Sequence, residues 1–337
     1  MRNLFQLLDQ TLRNGEDAVL VSIIASSGST PRGTGAYMLV TQKGRICGTI
    51  GGGAVEYRSE KLAAEVLAQR CSRLEFFCLT KNDVLDLGMI CGGDVHVYFR
   101  YIPAGNPKIL ALTGQIETLF ARGEQTWLIS EITPAAENFM CVYSSAGGLF
   151  GGEVPDSVID QLGNHAGPIG ADGRIFYCET LIRAGKVYIF GGGHVAQALV
   201  PALSAVDFRC IVLEDREDFC RPALFPGVEA TRLIDNQRVA DYVNIQESDY
   251  VIIMTRGHSS DQLIQAQALR TPARYIGVIG SRKKTAKVFA NLRELGFTDA
   301  DLARITTPIG LDIGAETPAE IAVSIAAQLI AVRAGRL

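Results

Sequence analysis

The sequence lacks a long apolar run and a strong excess of one charge. No uninterrupted apolar run approaches the ~18 residues that a membrane-spanning helix needs, and Asp9 stands where a signal peptide would continue its apolar segment. We therefore expect a cytoplasmic protein without a membrane segment. The formal net charge is only −4, and the lysines and arginines are scattered along the chain. That distribution argues against nucleic acid as a partner, because such proteins concentrate basic side chains on one face.

The sequence also lacks closely paired cysteines. Its 8 cysteines include no C-x-x-C pair, so the spacing typical of a zinc site is absent. In a reducing compartment we expect most of them to be buried thiols rather than disulfides. Cys91 is the exception, because the two glycines that follow it leave room for a ligand or a metal centre. An inert buried thiol is the alternative.

The pattern of predicted elements changes near residue 184. A chain of 337 residues is too long for one ordinary core, so we predict two domains, residues 1–183 and 184–337. The first is predicted to be a mixed α/β domain with a glycine-rich turn. In the second, strands alternate with helices, which predicts a Rossmann-type, doubly wound parallel sheet.

The strongest local motif is Gly191-x-Gly193-x-x-Ala196, which follows a short apolar strand and opens a helix. In this pattern the first glycine permits a tight turn, the second lets the backbone approach a phosphate, and the small third residue allows close packing. Glu214 and Asp215 end the next strand about 20 residues later, where an acid accepts ribose hydroxyls. His194 either donates to a phosphate or caps the helix.

Two further loops are predicted at the same edge of the sheet, because ligands bind outside the carboxyl ends of parallel strands. His258 and Asp261 follow one strand and are either a base with its orienting carboxylate or a solvated histidine beside a serine cap. Ser281, Arg282 and Lys283 open the next helix. A basic first turn opposes the helix dipole, so we favour a phosphate contact there.

In the first domain, Gly51, Gly52 and Gly53 stand between a strand and a helix. Three glycines in a row cost backbone entropy, which close backbone approach or positive φ explains. Their successive N–H groups predict an anion-binding nest. Glu56 either binds a pterin-like or amide edge of a ligand or complements the helix dipole. We expect Arg32 to lie beside this turn and to supply a cation.

Together these motifs resemble the XdhC/CoxI family, the accessory proteins of xanthine dehydrogenase and related molybdenum hydroxylases. The resemblance covers almost the whole chain, although residues 104–185 contribute no motif to it. The segments that carry it are Ser29-Thr-Pro-Arg32, Gly48-Thr-Ile-Gly-Gly-Gly-Ala-Val-Glu56, Cys91-Gly-Gly93, Gly191-Gly-Gly-His-Val-Ala196, Asp215-Arg216, Gly257-His258 with Asp261, Ile279-Gly-Ser-Arg-Lys-Lys284, and Pro308-Ile-Gly-Leu311 through Pro318-Ala-Glu-Ile-Ala322.

The resemblance implies a chaperone that binds the molybdenum cofactor, a pterin dithiolene with a phosphate that is sometimes extended by a nucleotide. Such a protein holds the cofactor while a cysteine desulfurase installs its terminal sulfur, and then passes it to an apo molybdenum hydroxylase. Cys91 would lie near the molybdenum. The predicted cofactor-binding residues are Arg32, Gly51, Gly52, Gly53, Glu56, Cys91, Gly191, Gly193, His194, Asp215, Arg216, Ser281, Arg282 and Lys283.

Two other functions stay open. The first is an NAD(P)-dependent oxidoreductase with His258 and Asp261 near the nicotinamide, in which the acid after the second strand favours NAD over NADP. The glycine-rich motifs of the first domain, including the one that contains Cys91, would then have no purpose. Whatever the function, the candidates for catalytic residues are Cys91, His258 and Asp261. The second is a scaffold for hydroxylase assembly whose crevice binds nothing. The apolar C-terminal helix predicts a homodimer, because it needs a partner surface.

Overall fold

The computed structural model describes residues 1–28, 32–78, 93–134, 139–280 and 282–337, without the side chains of residues 258, 259 and 282–284. The chain divides into two compact units, Met1–Arg183 and Ala184–Leu337. Among the described residues, no helix has both the length and the apolar character needed to cross a membrane.

The first sheet of the amino-terminal unit is antiparallel and packs on a helix. Its strands are β1 (Ala18–Gly28), β2 (Tyr37–Thr41), β3 (Gly44–Gly48), β4 (Arg73–Cys78) and β5 (Gly93–Ile102), and the helices near it are α1 (Arg2–Arg13) and α2 (Gly53–Gln69). They lie in the order β3-β2-β1-β5-β4. Val95, Val97 and Phe99 alternate along β5 and are buried. They belong to the same apolar cluster as Ala63 and Val66 of α2.

A second antiparallel sheet lies in the same unit. Its strands are β6 (Thr126–Glu131), β7 (Met140–Ser144), β8 (Gly148–Phe150), β9 (Gly167–Ala171) and β10 (Arg174–Ile182), with the helices α3 (Pro107–Arg122) and α4 (Asp156–Ile159). The order is β8-β7-β6-β10-β9. One apolar cluster joins Leu8 of α1, Ile116 of α3, Leu20 of β1 and Leu128 of β6. The two sheets of this unit therefore share a core with α1 and α3.

The carboxyl-terminal unit contains the predicted parallel sheet. Its strands are β11 (Lys186–Phe190), β12 (Arg209–Glu214), β13 (Ala230–Leu233), β14 (Tyr250–Ile253), β15 (Tyr275–Val278) and β16 (Ile305–Thr306). They lie in the order β13-β12-β11-β14-β15-β16, and neighbouring strands pair in parallel. This is the 3-2-1-4-5-6 order of a Rossmann fold, in which a crevice opens between the first and fourth strands. The predicted fold class is therefore confirmed.

The helices of this unit are α5 (His194–Ala205), α6 (His258–Ala268), α7 (Arg282–Glu294), α8 (Asp299–Leu302) and α9 (Pro318–Arg333). Helix α9 begins with a capping box between Thr317 and Glu320. It packs against α5 through buried side chains such as Ile325 and Leu329. On its outer side, Val323 is 58% exposed.

Candidate functional site

The turn between β11 and α5 lies at the carboxyl edge of the parallel sheet, where the strand order reverses. Gly191 adopts a φ of 108°, and its N–H donates to the Leu213 carbonyl oxygen at 2.8 Å. A Cβ at this position would lie 2.5 Å from the carbonyl oxygen of Met254, the residue after β14. The first glycine of the motif is therefore required by the close approach of the neighbouring strand ends.

The second motif glycine faces open space. Among the described residues, no heavy atom lies within 4 Å of the position that a Cβ on Gly193 would take. Gly193 is the N-cap of α5, and the first N–H groups of a helix have no partner within it. His194 is exposed at the start of the helix, whereas Ala196 is fully buried. The turn thus has the open backbone that a phosphate requires.

Glu214 connects this turn to the end of β12 through hydrogen bonds. Its side chain is only 2% exposed, and its Oε2 accepts the Gly192 N–H at 2.7 Å. Its Oε1 accepts the N–H groups of Asp215 and Arg216, each at 3.1 Å. Burial alone would raise the pKa of Glu214, but hydrogen bonds from Arg216, Asp215 and Gly192 and the Arg216 charge hold it well below its ordinary value.

Arg216 and Asp215, both predicted to bind a cofactor, differ in their surroundings. The Arg216 guanidinium forms a two-point contact with Glu214, with Nε at 2.8 Å and Nη2 at 2.9 Å from the two carboxylate oxygens. It also lies 4.0 Å from the centre of the Phe219 ring. The Asp215 side chain is 40% exposed and accepts a hydrogen bond from Asn236 at 3.1 Å. Asp215 is therefore the more accessible acid at this strand end.

The loop after β14 is held by Asp261. This carboxylate is fully buried and accepts hydrogen bonds from Thr255, from Oγ1 at 2.5 Å and from N–H at 3.2 Å. His258 begins α6, but its side chain is outside the described atoms. The predicted pairing of His258 with Asp261 therefore stays a prediction. The contact with Thr255 gives Asp261 a structural role in shaping the crevice edge.

The other basic loop is described only by its backbone. Arg282 and Lys283 begin α7, which follows β15 at the carboxyl edge of the sheet. Their side chains, like all of Ser281, are outside the described part of the chain. Their predicted phosphate contact stays a prediction.

In the first unit, the glycine turn before α2 folds around Glu56. Gly51, Gly52 and Gly53 all adopt positive φ, as their sequence predicts. The Glu56 carboxylate accepts the N–H groups of Ile50 at 3.0 Å and Gly52 at 3.1 Å, and the Gly51 N–H donates to Thr49 Oγ1 at 3.1 Å. These three amides therefore bind the chain's own oxygen atoms. A ligand at this turn would have to use other groups, so the binding roles of these glycines and Glu56 stay predictions.

Arg32 lies beside the same turn. Its Nη1 donates to the Thr49 carbonyl oxygen at 3.3 Å, and its side chain is exposed. Next to it is a cavity of about 570 Å³ whose lining includes Arg32, Tyr37, Cys47 and Thr49. The structure thus brings a cation, a thiol and a strand-end turn to one cavity of this unit.

The Glu56 contacts give a testable prediction. Arg45 Nη1 lies 2.5 Å from Glu56 Oε1, and the Glu56 side chain is 10% exposed. Glu56→Gln should lower the free energy of unfolding by about 2 kcal/mol, because the buried donors lose a charged acceptor. Urea unfolding measures this loss. The control is Glu60→Gln, which removes the other, 34% exposed partner of Arg45 and should cost less than about 1 kcal/mol. Equal losses in the two variants would contradict the prediction.

Two residues of these sites were not identified from the sequence. Phe219 supports Arg216 and Thr255 binds Asp261, but neither follows a recognisable motif. An aromatic residue three positions after the arginine was the available signal for Phe219. Cys91 is outside the described residues. Among the described residues, no group of three His, Cys, Asp or Glu side chains is placed to hold a metal ion.

Comparison with known proteins identifies relatives across the full length. A protein of Bacillus subtilis (strain 168), named as a probable subunit of xanthine dehydrogenase, is 25% identical over 99% of this chain and 98% of the relative. The molybdenum cofactor insertion chaperone PaoD of Escherichia coli (strain K12) is 21% identical over 98% of this chain and 88% of the relative. The crystal structure of a xanthine dehydrogenase from Bacillus halodurans has the same fold, with a TM-score of 0.81 at 24% identity, over 99% of this chain and 96% of that chain.

Family models match both units. The model of the XdhC Rossmann domain matches residues 187–329, and that of the XdhC and CoxI family matches residues 11–77. The first segment contains the glycine turn, Glu214 and Asp261, and the second contains Arg32 and the turn around Glu56. The resemblance carried by these motifs is confirmed: the chain belongs to the XdhC and CoxI family.

Proposed function

We propose that this protein binds the molybdenum cofactor and inserts it into a molybdenum hydroxylase of the xanthine dehydrogenase type. Membership of the XdhC and CoxI family supports this proposal, as does the full-length similarity to a relative named as a molybdenum cofactor insertion chaperone. The observation that carries it is the open backbone at Gly193, in front of α5. Within the described part of the chain, no side chain occupies the space through which a phosphate group would approach the helix amides there.

The residues of this turn suit the phosphate of the cofactor. The backbone of Gly193 and His194 would hold that group, and the buried Ala196 keeps α5 close to the sheet. In the first unit, Arg32 offers a cation beside the cavity near Thr49. When bound, the cofactor supplies the molybdenum chemistry of the hydroxylase. This chain contributes binding and protection, and we propose a cysteine desulfurase as the partner that sulfurates the held cofactor.

An NAD(P)-dependent oxidoreductase is the second candidate. The observation that favours it is the strand order of the Rossmann sheet together with Asp215, which lies partly exposed after β12. An acid at this place binds ribose hydroxyls in many dinucleotide enzymes. In this candidate His258 and Asp261 would serve the reacting end of the nucleotide.

Binding and transfer assays separate the two candidates. We expect the purified protein to retain the molybdenum cofactor through gel filtration and to restore activity to an apo xanthine dehydrogenase. Gly193→Ala should lower retention at least tenfold, because a methyl group would fill the space that the phosphate needs. Thermal unfolding should be unchanged, since the methyl would meet no described atom within 4 Å.

The matched control is Gly114→Ala in α3, where the space around a Cβ is likewise open among the described residues. This variant should retain the cofactor as the wild type does. Tight NAD(H) binding with turnover of a small substrate, and no retention of the molybdenum cofactor, would overturn the proposal in favour of the second candidate.

A further inference from the structure

The end of β12 is the position that decides which nucleotides a Rossmann crevice accepts. In dinucleotide-binding members of this fold, an acid at this position receives the ribose hydroxyls. Glu214 is the last residue of β12, and its carboxylate also receives the Gly192 N–H of the glycine turn. Glu214 therefore occupies the position at which dinucleotide-binding members of the fold place their ribose acceptor.

Both oxygen atoms of Glu214 are already occupied. Oε1 accepts two backbone N–H groups and the Nε of Arg216 at 2.8 Å. Oε2 accepts the Gly192 N–H at 2.7 Å and the Nη2 of Arg216 at 2.9 Å. A carboxylate offers about four lone-pair positions, and these five donors fill them. A ribose diol can therefore reach Glu214 only if the guanidinium leaves.

Packing around Arg216 keeps the guanidinium in place. The group lies 4.0 Å from the centre of the Phe219 ring and 3.7 Å from the Asp215 carboxylate. The turn that carries Phe219 is itself close to the glycine turn, because a Cβ on Gly192 would lie 2.2 Å from the Phe219 carbonyl oxygen. The Arg216 side chain is still 27% exposed. The contact is thus at the surface of the crevice, where a ligand would arrive.

We infer that Arg216 is a specificity-determining residue whose guanidinium takes the place of a ribose diol on Glu214. The wild-type crevice consequently excludes dinucleotides that need this carboxylate, and it accepts phosphate-bearing ligands that do not. The inference rests on the proposed function in taking this crevice as the ligand site. It adds to that function that the site does not bind a ribose diol through Glu214.

Substitution of Arg216 tests this inference with NADH as the probe. Arg216→Met keeps an unbranched side chain over Phe219 but removes the guanidinium, so one lone-pair position of Glu214 becomes free to accept a ribose hydroxyl group. We expect NADH to bind this variant at least tenfold more tightly than the wild type in a fluorescence titration, since hydrogen bonds to a charged acceptor are strong. A Glu214→Gln, Arg216→Met double variant should lose this gain.

The matched control is Arg221→Met. Arg221 is 65% exposed and lies 3.7 Å from Asp218, so its loss changes the net charge equally without touching Glu214. This variant should bind NADH as the wild type does. If Arg216→Met unfolds, Arg216→Lys serves instead. Lysine keeps the charge but cannot form the two-point contact with Glu214. This variant should therefore bind NADH more tightly than the wild type, but more weakly than a protein without a cation at position 216.

Equal NADH affinity in the wild type and the folded Arg216 variants would overturn the inference. So would tight NADH binding by the wild type that is lost in Asp215→Asn, because the neighbouring acid would then be the ribose acceptor. Transfer of the molybdenum cofactor by the wild type is measured on the same preparation. Failure of that transfer speaks against the proposed function, whereas the NADH series alone decides the role of Arg216.

Discussion

Gly191→Ala should lower the free energy of unfolding by about 3 kcal/mol, from overpacking and from backbone strain together. A Cβ at this position would lie 2.5 Å from the Met254 carbonyl oxygen and 2.9 Å from its carbonyl carbon. These are backbone atoms of the loop after β14, so they cannot move away as a flexible side chain would. The φ of 108° adds strain for any residue with a Cβ. Chemical denaturation of the purified variant measures the loss.

Gly193→Ala is the control in the same turn. Its φ of −70° suits alanine, and its Cβ would meet no atom of the described chain within 4 Å. We therefore expect this variant to lose less than about 1 kcal/mol, as surface substitutions usually do. A loss at Gly191 as small as that at Gly193 would show that the strand ends are not closely packed around the first glycine.

The sequence predicted the Rossmann turn because its determinants are local. The motif consists of a short apolar strand followed by two glycines and a small residue at fixed spacing. This pattern predicts the packing around Gly191, Gly193 and Ala196, and the structure gives each of them the expected surroundings. The strands β13 and β16 were not predicted. They span only 4 and 2 residues and take their conformation from pairing with longer neighbours rather than from their own sequence.

The hydrogen-bond partners of the charged residues were harder to predict. The spacing of residues in a motif does not specify which donor bonds to which acceptor. The spacing of His258 and Asp261 suggested a catalytic pair but gave no sign of the hydrogen bond that Asp261 accepts from Thr255. The sequence placed Glu56 in a first helical turn and left its role open. The structure has it binding the amides that precede the helix. Such contacts depend on how the chain turns between the residues, which propensities alone do not specify.

The surroundings of Glu179 are the hardest to predict from the sequence, because its hydrogen-bond partner Tyr37 is distant in the chain. It lies on β10, in a segment without a recognisable motif, and its side chain is buried. The hydroxyl of Tyr37, on β2, donates to its Oε1 across 142 positions of the chain. Burial raises the pKa of Glu179 to about 7, although the hydrogen bond from Tyr37 acts in the opposite direction. Nothing in the sequence around Glu179 indicates either the burial or the contact with Tyr37.

The second large prediction is a loss of stability as the pH rises from about 4.5 to 7. In this range the unfolded state ionises Glu179 at an ordinary pKa while the folded state keeps the proton. The folded state therefore binds more protons, and the free energy of unfolding falls with increasing pH. Glu179 should contribute a decrease of about 3 kcal/mol across the range, complete above pH 7.

Glu179→Gln isolates this contribution, because the amide keeps the shape of the side chain and an acceptor for Tyr37 but does not ionise. Urea unfolding of both proteins at pH 5 and pH 8 should show that the glutamine variant gains on the wild type by about 3 kcal/mol between the two conditions. Glu65→Gln changes a carboxylate that is 54% exposed, so its difference from the wild type should be nearly constant with pH. If the Glu179→Gln difference were equally constant, Glu179 would be ionised in the folded protein throughout. The buried guanidinium of Arg100, whose charge acts on Tyr37, would then stabilise the Glu179 carboxylate as well.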